Sequence, residues 1–229
     1  MRRRRQFFVL IIATSLMVAF VAAGLSIAFK YVPSFYRRGE IHALAERQQL
    51  AQEFMKRSED LINLINNGQP WALSISQDQI NGYLQGEQSL FTFPDNVYDP
   101  RIEFGPDRLR IGFRYGAGWS SVVVSVDIKT WLVAKEPNVI AVELCGVWIG
   151  GLPLGSRAVM EFVTEAAKSQ EAEVTWYRSG SHPVALLRLQ ANQTRPTLVI
   201  RKFEIQPGSL AFSGKPTGEI PPPETTTAE

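Results

Sequence analysis

The residue types that could do chemistry are few. The chain has two histidines and one cysteine. His42 lies in a stretch of helical periodicity, and His182 sits far away in the loop Ser179-Gly180-Ser181-His182-Pro183. Zinc sites draw on ligands at short, repeated spacings such as HExxH or CxxC, and neither occurs. Ser179 and Ser181 beside His182 are the types a hydrolase uses as nucleophile and base. No G-x-S-x-G elbow accompanies them, and serine is common in turns because its hydroxyl bonds the local backbone. Gly150-Gly151 lacks the glycine-lysine of a phosphate-cradling loop. Cys145, in an apolar run, reads as a small core residue, and a single cysteine allows neither an intrachain disulfide nor a cysteine cluster. Asn192-Gln193-Thr194 fits a glycosylation sequon, which matters only in a eukaryotic secretory pathway. The expectation is a protein without enzymatic activity, cofactor or metal.

What remains is a run of arginines on one strand. Arg108, Arg110 and Arg114 alternate with Leu109, Ile111 and Phe113, so one face is basic and the other apolar. The plain reading of the basic face is a solvated surface opposite a core. The functional reading is a contact with anionic lipid headgroups or wall polymer. The apolar residues are either filled core or the lining of a groove for an acyl chain. On the ligand reading, Leu109, Ile111, Phe113, Val124 and Trp148 line the site, and Arg110 and Arg114 meet the headgroup.

The segment that places these residues at a membrane is Phe7–Phe29, 23 residues without a charge. As a helix it reaches roughly 34 Å, enough for a hydrocarbon core of about 30 Å. It is apolar on every face, unlike a core helix of a soluble domain. It is longer than the apolar region of a cleaved signal peptide, although Ser26-Ile27-Ala28 offers a small-x-small site. Arg2 to Arg5 precede it in an unbroken run, while Lys30, Arg37 and Arg38 follow more sparsely. The denser cluster predicts a cytoplasmic N-terminus and a C-terminal part outside the cytoplasm.

Charge supports that division. The net charge is +2, but five of the 24 basic residues and none of the 22 acidic ones lie in the first thirty positions. The remaining 19 basic residues give a net −3 from Tyr31 onward, which argues against nucleic-acid binding. An outer domain without disulfides relies on its apolar core, as is ordinary in a bacterial envelope protein.

Periodicity supplies the elements. From Arg37 to Asn66 the stripe Ile41, Leu44, Ala51, Met55, Ile62 and Ile65, widened by Phe54 and Leu61, predicts an amphipathic helix. It would pack on its own domain; a homodimer through Ile41–Ile65 is the rival reading, weakened by Gln48 and Ser58 in the seam. Ser76 with Gln79 forms a capping box that starts a short helix. From Val97 the pattern is β. Turns at Gly105-Pro106-Asp107, Gly116-Ala117-Gly118 and Glu136-Pro137-Asn138 separate strands that include Leu109–Tyr115, Val122–Ile128 and Val139–Ile149. A helix capped by Ser156 follows, through about Ser169. Strand-like runs at Glu173–Tyr177, Val184–Leu189 and Thr197–Gln206 come next, and after Pro207-Gly208 Ser209–Phe212 returns the chain. Ile102–Phe113 echoes Phe203–Gly214, two hairpins with the same turn chemistry. From Lys215 the composition is that of a disordered tail.

The fold class is therefore α+β: an N-terminal transmembrane helix, then a curved antiparallel sheet wrapping one long helix and one or two short ones. The divisions are a basic cytoplasmic cap at 1–6, the span at 7–29, a juxtamembrane helix at 30–70, an extracytoplasmic domain at 71–214 and a tail at 215–229. The function this predicts is a non-enzymatic, single-pass module of the cell membrane that binds a lipid or another apolar ligand. The alternative is an assembly partner of an envelope protein complex.

The order anchor, ISQDQINGYL, β meander, VELCGVWIGGLPLGSRAVMEF resembles the YpmS-like family of small single-pass bacterial membrane proteins. The resemblance rests on Asn81 and Leu84 in the short helix, and on Ile149, Gly150, Leu152, Pro153 and Leu154 after the meander. Gly155 stands where that family often has a proline. The resemblance implies an extracytoplasmic α+β domain with a shape like that of lipid-binding folds.

Overall fold

A computed structural model describes residues 2–86, 96–134, 136, 138–169, 173–188 and 198–216. The chain is α+β, with an apolar N-terminal helix and antiparallel sheets that do not close into a barrel. Helix α1 (Arg2–Phe29) includes the whole uncharged run. From Leu16 to Phe29 its large apolar side chains are exposed, Phe20 and Ile27 most of all. Such a cylinder is long and apolar enough to cross a membrane.

Past Pro33 the chain forms the short α2 (Ser34–Arg38) and then α3 (Leu44–Asn66). The predicted helix from Arg37 thus begins late. Residues 39–43 leave helical form because their backbone bonds elsewhere: Gln85 Nε2 donates to Gly39 O, Ile41 N donates to Gln85 Oε1, and Arg47 donates to Ile41 O. Helix α3 packs on α4 (Gln77–Leu84), with Phe54 and Tyr83 rings 4.7 Å apart and Gly82 against Leu50. This places it on its own domain, as its stripe predicts. The inward face centres on Ala51 and Phe54, however, and leaves Leu44 62% and Ile62 49% exposed.

Two sheets follow instead of one. The smaller has the order β1-β10-β9, with β1 (Trp71–Ser76), β9 (Leu198–Gln206) and β10 (Ser209–Pro216). Strand β10 carries two residues of the predicted tail: Lys215 and Pro216 pair with Val199 and Leu198. The rest of the tail and the sequon lie outside the described residues. The larger sheet has the order β2-β3-β4-β5-β8-β7, with β2 (Val97–Gly105), β3 (Arg108–Tyr115), β4 (Val122–Leu132), β5 (Val139–Ile149), β7 (Glu173–Ser179) and β8 (His182–Arg188). The two-residue β6 (Leu152–Pro153) folds back on β5. Helix α5 (Arg157–Ser169) sets Val159 and Met160 against the core residues Val126, Ile128, Leu144 and Val147.

The two echoing hairpins are neighbours. Each places proline at the second turn position and a positive φ at the third (Asp107, 57°; Gly208, 79°), the requirement of a type II turn. Gly208 N donates to Phe104 O, and Ile205 packs on Ile102 and Phe104. The exposed edge of β2 is closed by a ladder of amides on α4. Gln77, Asn81 and Gln85, one helical turn apart, face the same way. Gln77 Oε1 accepts from Phe104 N, Asn81 both donates to Ile102 O and accepts from Ile102 N, and Gln85 holds the linker. Fully buried Asn81 stands where a neighbouring strand would be.

Candidate functional site

Cross-strand register sorts the larger sheet's side chains, because directly opposed residues share a face. Leu109 opposes Ile128, Ile111 opposes Val126 and Phe113 opposes Val124. This is the core face: Leu109 and Ile111 pack against Ile102, Phe104 and Ile205, while Phe113 and Val124 are half-buried beyond that cluster. Arg110 opposes Asp127, Gly112 opposes Ser125, and Ser125 opposes Trp148. Trp148 therefore lies on the arginine face and not with Leu109, Ile111, Phe113 and Val124. The expected apolar lining is split by the sheet.

On the arginine face two aspartate–arginine clusters flank the segment that follows α1. Gly112 makes room for that segment, since a β-carbon there would collide with Tyr36 and press on Phe35. Beyond it, Arg101 donates to both oxygens of Asp99 (3.1 and 2.7 Å), to Tyr36 O (2.7 Å) and to Glu40 (3.1 Å). Tyr36 Oη donates to Asp99, and the Arg101 guanidinium stacks 4.3 Å from its ring. Burial, and then the adjacent Asp99 carboxylate, push the Tyr36 phenol far above its ordinary value. Burial alone would lower Arg101, but Asp99, Tyr36 and Glu40 more than offset it and raise it. Arg114 joins this cluster, with Nε 3.6 Å from Asp99. Strand β2 bulges to present Asp99, whose φ is positive at 54°.

On the near side a cleft of about 420 Å³ opens between the segment after α1 and the sheet. Tyr31, Pro33, Ser34 and Phe35 form one wall, Trp148 and Gly150-Gly151 another, and Arg110, Ser125 and Asp127 the floor. Trp148 lies flat over Gly146, where any β-carbon would collide with the indole. Asp127 is 9% exposed. Its Oδ2 accepts from Arg108 at 3.2 Å, and its Oδ1 is buried without a partner. Arg110 does not pair with the aspartate opposite it. It donates to Glu103 (3.0 Å), which also binds Arg38 (2.6 Å).

The helix end is fixed to this cleft. Gly151 N donates to Ala28 O at 2.7 Å. Gly150 holds a left-handed φ of 59°, and a β-carbon there would strike the Ala28 and Phe29 carbonyls. Lys30 Nζ donates to Trp119 O (2.6 Å) and Ser121 O (3.2 Å). The Trp119 ring, 91% exposed, stands 5.8 Å from the same ammonium.

Of the expected site residues, the structure brings Arg110 and Trp148 into one cleft. It leaves Leu109, Ile111, Phe113 and Val124 on the opposite face and gives Arg114 to the Asp99 cluster. Asp127, Ser125 and Tyr31 were not legible as site residues. The alternation that puts Asp127 on the arginine face was present, but the bulge after Asp127 and the approach of Tyr31 belong to the fold.

One other group converges. Glu143, Cys145 and His182 place ligand atoms within 4.8 Å of one another, a spacing that three metal ligands could share. His182 Nδ1 is engaged by Glu143 Oε1 at 2.8 Å, and burial followed by the Glu143 charge raises the Cys145 thiol, keeping it protonated. Among the described residues no hydrogen bond joins His182 to Ser179 or Ser181.

Known protein families, curated proteins and solved structures were all compared with the chain, and none matches. The likeness to the YpmS-like family therefore rests on its short motifs alone.

Proposed function

We propose that this protein is a non-enzymatic envelope module, held by a single N-terminal span, that takes the polar end of a membrane lipid into the cleft beside that span. One observation carries the reading: the cleft is built partly from Tyr31–Phe35, the residues that leave the membrane helix, so its mouth opens at the level where headgroups lie. Aromatic walls and a few polar groups on the floor suit an amphipathic ligand. Trp119 and Tyr31 around Lys30 have the chemistry of the aromatic and basic belt at a bilayer surface. The arginine run Arg2–Arg5 supports a cytoplasmic N-terminus and a domain on the outer side of the cell membrane.

The test is to purify the full chain in mild detergent and quantify retained lipid by native mass spectrometry. About one lipid per chain is expected, with retention lost in Trp148→Ala combined with Arg110→Ala. A chain that carries no lipid overturns the reading. The rival, an assembly partner working through α3, has in its favour the exposure of Leu44 and Ile62 at the same helical azimuth. Charged residues at both positions would then break a complex while leaving lipid retention intact.

A further inference from the structure

Among the described residues a single group of metal-ligating side chains converges, and it is chemically mixed: the carboxylate of Glu143, the thiol of Cys145 and the imidazole of His182. Their ligand atoms lie within 4.8 Å of one another. Strand geometry brings them together. Glu143 and Cys145 are two apart on β5 and so share a face. Glu143 opposes Val184 on β8, and the same register carried two residues further sets Cys145 level with His182. Between Ile140 and Ile149, Cys145 alone has no partner in register with β4. It is the extra residue of a bulge, a device that re-aims a side chain. The group is reachable from solvent: the His182 side chain is 43% exposed, that of Glu143 is 19% exposed, and Cys145 is half-buried. The Lys129 amide donates a hydrogen bond to the sulfur and favours its thiolate form. The nearby Asp127 and Arg108 pair with each other and so add little net charge.

We infer that Glu143, Cys145 and His182 form a site for one zinc ion, with solvent in the fourth coordination position. The donor set selects the metal. Calcium and magnesium take six or more oxygens, and only one of the three side chains offers oxygen. Zinc accepts sulfur, nitrogen and oxygen together, in a tetrahedron whose ligand atoms stand roughly 3.3–3.6 Å apart. The observed spacing closes to that value by rotation of the partly exposed Glu143 and His182 side chains. As the sulfur–zinc bond forms, the thiol proton leaves to solvent, and the 2.8 Å contact between His182 and Glu143 gives way to two bonds to the metal. The dication neutralises the carboxylate and the thiolate together. Three protein ligands with an open position let the ion take an external donor, unlike the closed four-ligand sites that only brace a fold. The site goes beyond the lipid reading and does not depend on it.

The test uses the full, untagged chain in mild detergent, reduced and stripped of metal. It is titrated with cobalt(II) as a spectroscopic stand-in and then with zinc. The expected result is one cobalt per chain, with a near-ultraviolet sulfur-to-cobalt charge-transfer band and visible bands of four-coordinate intensity. One equivalent of zinc should erase both. Cys145→Ser should remove the charge-transfer band. His182→Ala should weaken zinc binding by more than the roughly 10–100-fold that loss of a merely supporting group costs. His42→Ala, a change outside the group, should alter neither. A chain that binds no cobalt, or binds it without the sulfur band, overturns the inference. So does binding that His42→Ala weakens as much as His182→Ala. The band is read on the unaltered chain, so the inference stays falsifiable even if a variant does not fold.

Discussion

Two aspartates on the same face of one sheet are treated oppositely. Asp99 has both oxygens engaged, by Arg101 and Tyr36, with Arg114 close by. Asp127 has a single 3.2 Å contact to a half-exposed arginine and one orphan oxygen. The first is closed and holds the chain leaving α1 against the sheet. The second is only half satisfied: Oδ1 is enclosed without a donor, while the residue itself borders the cleft. A saturated buried network rigidifies the fold, whereas a buried group left short of a donor costs stability.

The sharpest way to break this contrast is to empty the closed cluster. Asp99→Ala leaves Arg101 buried with only Glu40 and a carbonyl, and should cost about 3–5 kcal/mol by chemical denaturation. Asp127→Asn, by contrast, should change stability by no more than about 1 kcal/mol, because little compensates that charge at present. If the two variants cost the same, the distinction between a saturated and a half-satisfied aspartate fails. Asn81→Leu comes next: it removes the partner of Ile102 N and O at the edge of β2 and should cost about 2–4 kcal/mol, seen in thermal unfolding. Gly150→Ala should cost about 1–3 kcal/mol, through a strained φ and a collision with the helix-end carbonyls. It should also speed proteolysis near Lys30, since that contact joins α1 to the domain.

The smallest effect is in pH. The Tyr36 phenol titrates higher folded than unfolded, so its neutral form is favoured by folding. That contribution is intact below the unfolded value of about 10 and is lost as pH rises past it. The melting temperature should therefore fall more steeply above pH 10 in the native protein than in Tyr36→Phe. Equal slopes would mean that Asp99 and Arg101 hold without the phenol.

Much of the architecture was legible in residues alone. Strands β2 to β5 and β7 to β10 had a strand-like pattern or a turn signal, the Ser76–Gln79 capping box forms as written, and the echo of Ile102–Phe113 in Phe203–Gly214 proves to be two hairpins packed side by side, whereas β6 (Leu152–Pro153) carried no such signal. The start of α3 was not legible, because the amide of Gln85 and the guanidinium of Arg47 take the backbone groups of residues 39–41, and neither lies next to them in sequence. Trp148 was misplaced with the core because its run, Val147-Trp148-Ile149, is apolar on both faces. Only the register with Ser125 shows which way the indole points.

What the sequence determined by itself is what depends on local spacing: an uncharged run long enough to span a bilayer, period-two strands, Pro-Asp and Pro-Gly turns, and helix caps. These follow from the geometry of a few neighbouring residues. What only the tertiary structure decided is which distant residues meet. Glycines at 112, 146 and 150 are the places where Tyr36, Trp148 and the end of α1 come closest to the sheet, and nothing in their own neighbourhood of the sequence says so. Asp127 read as one more polar residue in an alternating strand. It became the orphan on the floor of a cleft only when residues nearly one hundred positions earlier in the chain closed over it.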